Sequence, residues 1–388
     1  MPSLKSQKLV GALLCLVIFV SNVWTMSRWS EARGVWDDVC YLQQAHLFQR
    51  FGLKGIDTNF VSDDDHWVSN KLREINFPTW QNPLSAPCHT PMPATGKLVL
   101  QYPPGTGAAL ALFPEGFQVV PLYVSAMAVV LLGALLAIAR ASTAPRVLVA
   151  SVFGCLAIYF MVNPAKASYS IAPTMVVCVL GGLLTALLFR VRVAGQRLML
   201  CAALGLLLGL AVNFRIPNLF LCAGYCLFLL TAFVRLRTLE TFLQGALFGA
   251  AYLVGMAPTL WANAVNAGSP LSTTYSSGDA VPMDFTFSIV PQYARDLQGP
   301  LLLLTIAVAL AMLMSRRFDG SRPVARIVAG NLIVGLTYFM THPIFTPYYT
   351  LPLAMLSLWS LLFAALMQDG SMQDRPQHDS RLSPGLPA

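Results

Sequence analysis

From residue 327 to residue 368 the chain carries no charged side chain. That run is about twice the ~20 residues a helix needs to cross a bilayer, and it holds His342-Pro343 near its middle. Proline removes a helix hydrogen bond and clashes with the preceding turn. The run therefore reads as two apolar helices joined by a turn around Pro343 and Pro347. Comparable charge-free segments occupy residues 9–26, 117–139, 147–162, 170–189, 241–262 and 297–315. The stretch from Leu198 to Val234 is broken only by Arg215 and is long enough for two more helices, with Arg215 at the hairpin tip. An all-α integral membrane protein of about ten crossings is expected.

Composition agrees. The chain is 56% hydrophobic and 11% charged, against about 25% charged in soluble domains. The net charge of +8 is laid out as a topology signal rather than as a nucleic-acid stripe. Lys5 and Lys8 precede the first segment. Arg140 with Arg146, the group Arg190, Arg192 and Arg197, the pair Arg235 and Arg237, and the group Arg316, Arg317, Arg322 and Arg326 then fall on one side. By the positive-inside rule that side is the cytoplasm, with both termini there. Val23-Trp24-Thr25-Met26 offers no small-x-small cleavage pattern, so the first segment is expected to stay as an anchor. Residues 1–367 form the polytopic domain, and the polar tail 368–388 is expected to be cytoplasmic and disordered.

Two polar segments, 27–104 and 263–296, fall on the outer side. Within the first, Trp36 to Phe51 reads as an amphipathic juxtamembrane helix with Val39, Leu42, Leu47 and Phe51 on its apolar face. Cys40 and Cys88 are the two of eight cysteines in that loop. An oxidising compartment permits a disulfide there, and spacing alone leaves the pairing open. Asp63-Asp64-Asp65-His66 has metal-ligand residue types, but an acid run in a polar loop is more often a solvated surface. Asp279 and Asp284 are open in the same way. No metal spacing and no nucleotide-binding glycine loop occurs, so no cofactor is expected; a divalent metal has no support. Trp67 and Trp80 are placed to stack on a sugar or cover a lipid. Tyr123, Trp261 and Trp359 read as belt or packing aromatics.

The chemistry-bearing feature is Asp37-Asp38, about ten residues beyond the first segment. As the head of a helix the pair has a plain reading, an N-cap followed by a first-turn acid. Its setting adds another. Tyr41 and Ala45 complete the pattern Asp-Asp-x-x-Tyr-x-x-x-Ala, and Tyr102-Pro103-Pro104-Gly105-Thr106 leads back into an apolar helix. These motifs resemble those of the polytopic GT-C glycosyltransferases, nearest to the protein O-mannosyltransferases, lipid A aminoarabinose transferases and lipopolysaccharide galacturonosyltransferases. The resemblance covers residues 1 to about 240, and more loosely 263–275 and 342–352. It departs in the last outer turn, where such families often have Arg before a Tyr. Here Phe345-Thr346-Pro347 precedes Tyr348-Tyr349, so a cation that could hold a phosphate is missing.

The resemblance implies a GT-C-like bundle in a bacterial inner membrane, with its active site on the periplasmic side. It implies transfer of a sugar from a polyprenyl-phosphate donor to a lipid, glycan or protein acceptor, with inversion. A carboxylate, Asp37 ahead of Asp38, would act as general base, and cations or donors would stabilise the leaving phosphate. Arg215 and Lys166 are candidates, since both sit in short outer turns against the charge bias; the alternative is snorkelling to headgroups. His342 could orient a phosphate or cap its turn. Tyr102 and Tyr348 complete the candidate substrate contacts. The competing class is a transporter or flippase, which would place ionisable groups or broken helices at the midplane. A non-catalytic assembly factor is a third reading.

Overall fold

The computed structural model describes residues 2–30, 38–82, 88–162, 167–275, 282–342, 344–346 and 348–367. Seven helical stretches are long and apolar enough to cross a membrane: Leu4–Met26, Val119–Arg140, Ile171–Leu188, Ala194–Val212, Ile216–Leu236, Leu239–Ala267 and Phe318–Thr341. Three further apolar helices, Ala144–Tyr159, Gln298–Met314 and Leu351–Met367, are 16 or 17 residues long. The charge-free runs of the sequence fall on these helices, seven of which have the length of a span and three of which are shorter. The α-helices are labelled α1 (Leu4–Met26), α2 (Val39–Phe51), α3 (Trp67–Glu74), α4 (Gly105–Leu110), α5 (Val119–Arg140), α6 (Ala144–Tyr159) and α7 (Ile171–Leu188). They continue with α8 (Ala194–Val212), α9 (Ala223–Leu236), α10 (Leu239–Ala267), α11 (Val290–Arg295), α12 (Gln298–Met314), α13 (Arg322–Thr341) and α14 (Leu351–Met367).

The apolar helices run up and down between two unlike ends. At one end the arginine-bearing turns meet: Lys8 donates to Ala139 O, Arg190 to Met367 O, and Arg197 pairs with Glu240. At the other end a lobe built from residues 38–82 and 88–118 meets the bundle: Asp38 accepts from Tyr169 N, Gly105 N donates to Asn213 O, and Thr274 donates its hydroxyl to Gln101 O. Inside the bundle α14 is the central helix. Every one of its residues is buried except Leu362 and Ala365, and it lies along α7, where a Cβ on Gly182 would fall 2.5 Å from Trp359 Cβ. Helices α8 and α10 approach more closely still. A Cβ on Gly209 would lie 2.2 Å from Tyr252 O, and one on Gly255 2.3 Å from Leu206 O. Small residues that allow backbones to touch are how helices associate where lipid supplies no hydrophobic drive.

The lobe departs from the expected surface helix. Helix α2 begins at Val39 and is enclosed rather than half-exposed: Val39 to Ala45 are all buried, Gln43 and Gln44 included, while Phe51 at its end is 39% exposed. The alternation seen in sequence is real only in the second half, because the first half is covered by the bundle on one side and by lobe residues on the other. Val39, Val68 and Leu72 form a small core with Trp67, Phe77 and Trp80 packed against it. A hairpin of β1 (His89–Met92) and β2 (Lys97–Leu100) pairs His89 with Leu100 and Met92 with Lys97. Cys40 and Cys88 form a disulfide with Cα atoms 6.4 Å apart, tying α2 to the hairpin. Asn266 fastens the lobe to α10: its Nδ2 donates to Ile56 O and its Oδ1 accepts from Thr58 N.

Candidate functional site

The Tyr-Pro-Pro-Gly-Thr segment is the joint between lobe and bundle. Gly105 N donates to Asn213 O at 2.7 Å, and Thr106, fully buried, donates its hydroxyl to Phe214 O. A Cβ at position 105 would sit 2.7 Å from Asn213 O and 2.8 Å from its carbonyl carbon, so only glycine lets the two backbones meet. Tyr102, at the head of the segment, stacks on Tyr41 of α2 with centroids 4.7 Å apart. One motif therefore sets both the helix that follows the acidic pair and the turn that carries Arg215.

That turn has its own support. Pro258 stands inside α10, where it cannot donate to the helix ladder, and Asn213 bonds the helix just beside it. Its Nδ2 donates to Gly255 O at 2.7 Å, while its Oδ1 accepts from Thr259 N at 2.9 Å and from the Thr259 hydroxyl at 2.7 Å. The amide thus bridges the two groups an unbroken helix would join directly, from i to i−4. Asn218 does similar work below, donating to Ala211 O and Thr174 Oγ1. Arg215 is held between these asparagines in extended conformation, half-buried, with its guanidinium over the Tyr349 ring at 5.2 Å. No carboxylate pairs with it among the described residues.

Asp38 is 1% exposed, the one buried acidic or basic chain among Asp, Glu, Lys and Arg in the described residues. It does not cap α2. Its Oδ1 accepts instead from Tyr169 N, 3.2 Å away in the connection between α6 and α7. Burying a carboxylate costs several kcal/mol, so the plain capping reading of this residue is set aside. Tyr41 links the acid to the cation. Its phenol is pushed above the ordinary range, chiefly by burial and partly by Asp38, while the Ser168 hydroxyl, Arg215 and Ser170 pull the other way. Tyr275 stands against Tyr102 with centroids 6.3 Å apart, and burial, then Tyr41 and Tyr349, raises its phenol while Arg215 opposes. Asp38 and Arg215 hence face one tyrosine-walled region.

The other sequence candidates divide. Asp37, Lys166, Asp279, Pro343 and Pro347 lie outside the described residues. His342 ends α13 and turns Nδ1 to Tyr338 O at 3.1 Å with its ring on Tyr338; it caps its helix. Tyr348 has φ +62°, a left-handed conformation costly for a bulky residue, and lies edge-on to Phe160. Burial, then Tyr159 and Asp296, raises its phenol. The acid run is tied down rather than loosely solvated. Asp64 pairs with Arg50, Asp65 Oδ2 is 2.9 Å from His46 Nε2, and Asp63 accepts from Val68 N. His46 Nδ1 in turn meets Glu115, which also receives the Trp67 indole N–H. Trp67 and Trp80 are therefore packing groups of the lobe, Trp80 under Arg73. Asp284 closes a tight turn by accepting from Thr286 and Ser288.

For metals, the one group of ligand types within reach of one another among the described residues is Cys40, Cys88 and His89. With both sulfurs in a disulfide, no thiolates are offered. Tyr123 was missed as anything but packing. It is 1% exposed, edge-on to Tyr169 at 6.5 Å, and its hydroxyl is buried with no hydrogen-bond partner among the described residues. An aromatic in an apolar segment gives no signal in sequence that it packs on Tyr169, whose N–H Asp38 accepts. The chain matches no family model, no curated protein and no solved structure.

Proposed function

We propose that this chain is a membrane glycosyltransferase that moves a sugar from a polyprenyl-phosphate donor to a hydroxylic acceptor at the lobe end of a ten-span bundle of GT-C type. The lobe end is read as the periplasmic face of a bacterial inner membrane, because the opposite end collects the arginines. The observation that carries the reading is the burial of Asp38 against Tyr169, with Tyr41 between it and a half-buried Arg215 that no carboxylate among the described residues pairs with. A strongly desolvated acid sharing a tyrosine with a cation that no described carboxylate neutralises is an arrangement expected of catalysis rather than of stability. The acceptor hydroxyl gives its proton to the acidic pair as its oxygen attacks the anomeric carbon. The sugar–phosphate C–O bond breaks, and the electron pair leaves on the lipid phosphate, which Arg215 receives with a bidentate fork. A transporter would call for ionisable groups at mid-bundle, whereas this acid and this cation sit at one end.

The test is the mass spectrum of envelope glycans and lipids in a deletion strain complemented with variants. Asp37→Asn and Asp38→Asn should reduce the missing product by about 100-fold or more, the range of general-base effects. Arg215→Lys should impair transfer while keeping the charge. Wild-type product levels from both Asp variants, at wild-type expression, would end the assignment.

A further inference from the structure

Tyr123 lies near the lobe end of α5, one turn in from its start at Val119. Its ring stands edge-on to Tyr169, and the Tyr169 N–H is what Asp38 accepts. Tyr123, Tyr169 and Asp38 thus stand in one line of contacts across α5, the connection into α7 and the start of α2. Phenylalanine would fill the same space. A buried hydroxyl without a partner is destabilising, and that cost is unanswered by anything else in the described protein. The Tyr252 hydroxyl is also buried without a partner, but the groups around it are the thiols of Cys222 and Cys226.

Resting on the transferase reading above, we infer that the Tyr123 hydroxyl is a ligand for the acceptor: it donates a hydrogen bond to the acceptor oxygen that loses its proton to Asp38. A phenol donor on one lone pair and a carboxylate on the O–H fix the direction of the remaining lone pair, which attacks carbon. Tyr123 keeps its own proton throughout. Placed on the acid side of the site, it acts on the acceptor and not on the donor phosphate.

Tyr123→Phe, Asp38→Asn and Arg215→Ala are made in the full chain. Each is measured for product in the complemented deletion strain, for thermal unfolding in detergent, and for binding of farnesyl phosphate. Tyr123→Phe should lower product about tenfold, one hydrogen bond's worth. It should leave the melting temperature equal to or above wild type, because an unsatisfied group is removed, and leave farnesyl phosphate affinity unchanged. Arg215→Ala should weaken farnesyl phosphate. Normal product from Tyr123→Phe with strong loss in Asp38→Asn would overturn the role of Tyr123 and spare the transferase reading. A fall in product matched by a lower melting temperature would also overturn it, since that is a packing effect. A deletion strain with unchanged glycans and lipids would remove both.

Discussion

Asn213 offers the sharpest test of how the site is held. Replacing it with alanine removes the donor to Gly255 O and the acceptor of Thr259 N, both on α10 where its backbone closely approaches α8. Each buried backbone group left unpaired costs about 1–3 kcal/mol, so Asn213→Ala should destabilise by roughly 2–6 kcal/mol. Asn213→Asp should be worse, since a carboxylate cannot donate to Gly255 O and brings a buried charge. The origin of the demand is Pro258, which keeps α10 from closing its own ladder. In Pro258→Ala the helix can regain the Thr259 N–H to Gly255 O bond, and loss of Asn213 should then matter far less. A double-mutant cycle on these two positions, read from unfolding by SDS in mixed micelles, should give a coupling of at least 1 kcal/mol, within the range for residues sharing a network. Additive effects, or an Asn213→Ala cost below about 0.5 kcal/mol, would refute the account.

Three further outcomes are expected. Breaking the Cys40–Cys88 disulfide, which closes a loop of 48 residues, should destabilise the lobe by about 4 kcal/mol on the chain-entropy relation; melting with and without reductant measures it. Asp284 has its carboxyl held down to about 2 by Ser288, then Thr286, against an ordinary 3.8. A depressed acid stabilises above its unfolded pKa and loses that contribution as pH falls through its folded one. The 284–288 turn should therefore open between pH 3.8 and about 2 and hold above it, as seen by amide exchange of Thr286 and Ser288. Reporter fusions at Ser85 and Gly320 should lie on opposite sides of the membrane; a same-side result would break the ten-span topology.

What could be seen in sequence followed what lipid demands of a chain. Apolar length and flanking arginines foretold α5, α7, α8 and α13 to within a few residues, because a bilayer tolerates few alternatives. Even there, α10 runs on to Ala267, beyond the expected end at residue 262. Asn263 and Asn266 look like loop residues, but their amides bond the lobe and the following turn. The acidic pair and the Tyr-Pro-Pro-Gly-Thr segment stood out because they are unusual strings. How the second of these reaches the Arg215 turn depends on pairs far apart in the chain, such as Gly105 with Asn213. The same is true of Asp38 with Tyr169, and of the lobe core that claims Trp67 and Trp80. The hairpin of β1 and β2 is too short, and Pro91 too disruptive, for alternation to announce it.

The central position of α14 bears on how the protein is made. It follows every other described helix in the chain, yet it is the one wrapped by neighbours on nearly every side. During synthesis the groove along α7 that receives Trp359 must face lipid, or the insertion machinery, until the final apolar stretch arrives. The earlier helices can each enter the bilayer singly, but the tertiary bundle closes only at the end, around its youngest member. A ribosome stalled before residue 349 would leave spans that are inserted and yet unassembled, with the polar joint of Asn213, Arg215 and Tyr349 missing one of its three parts.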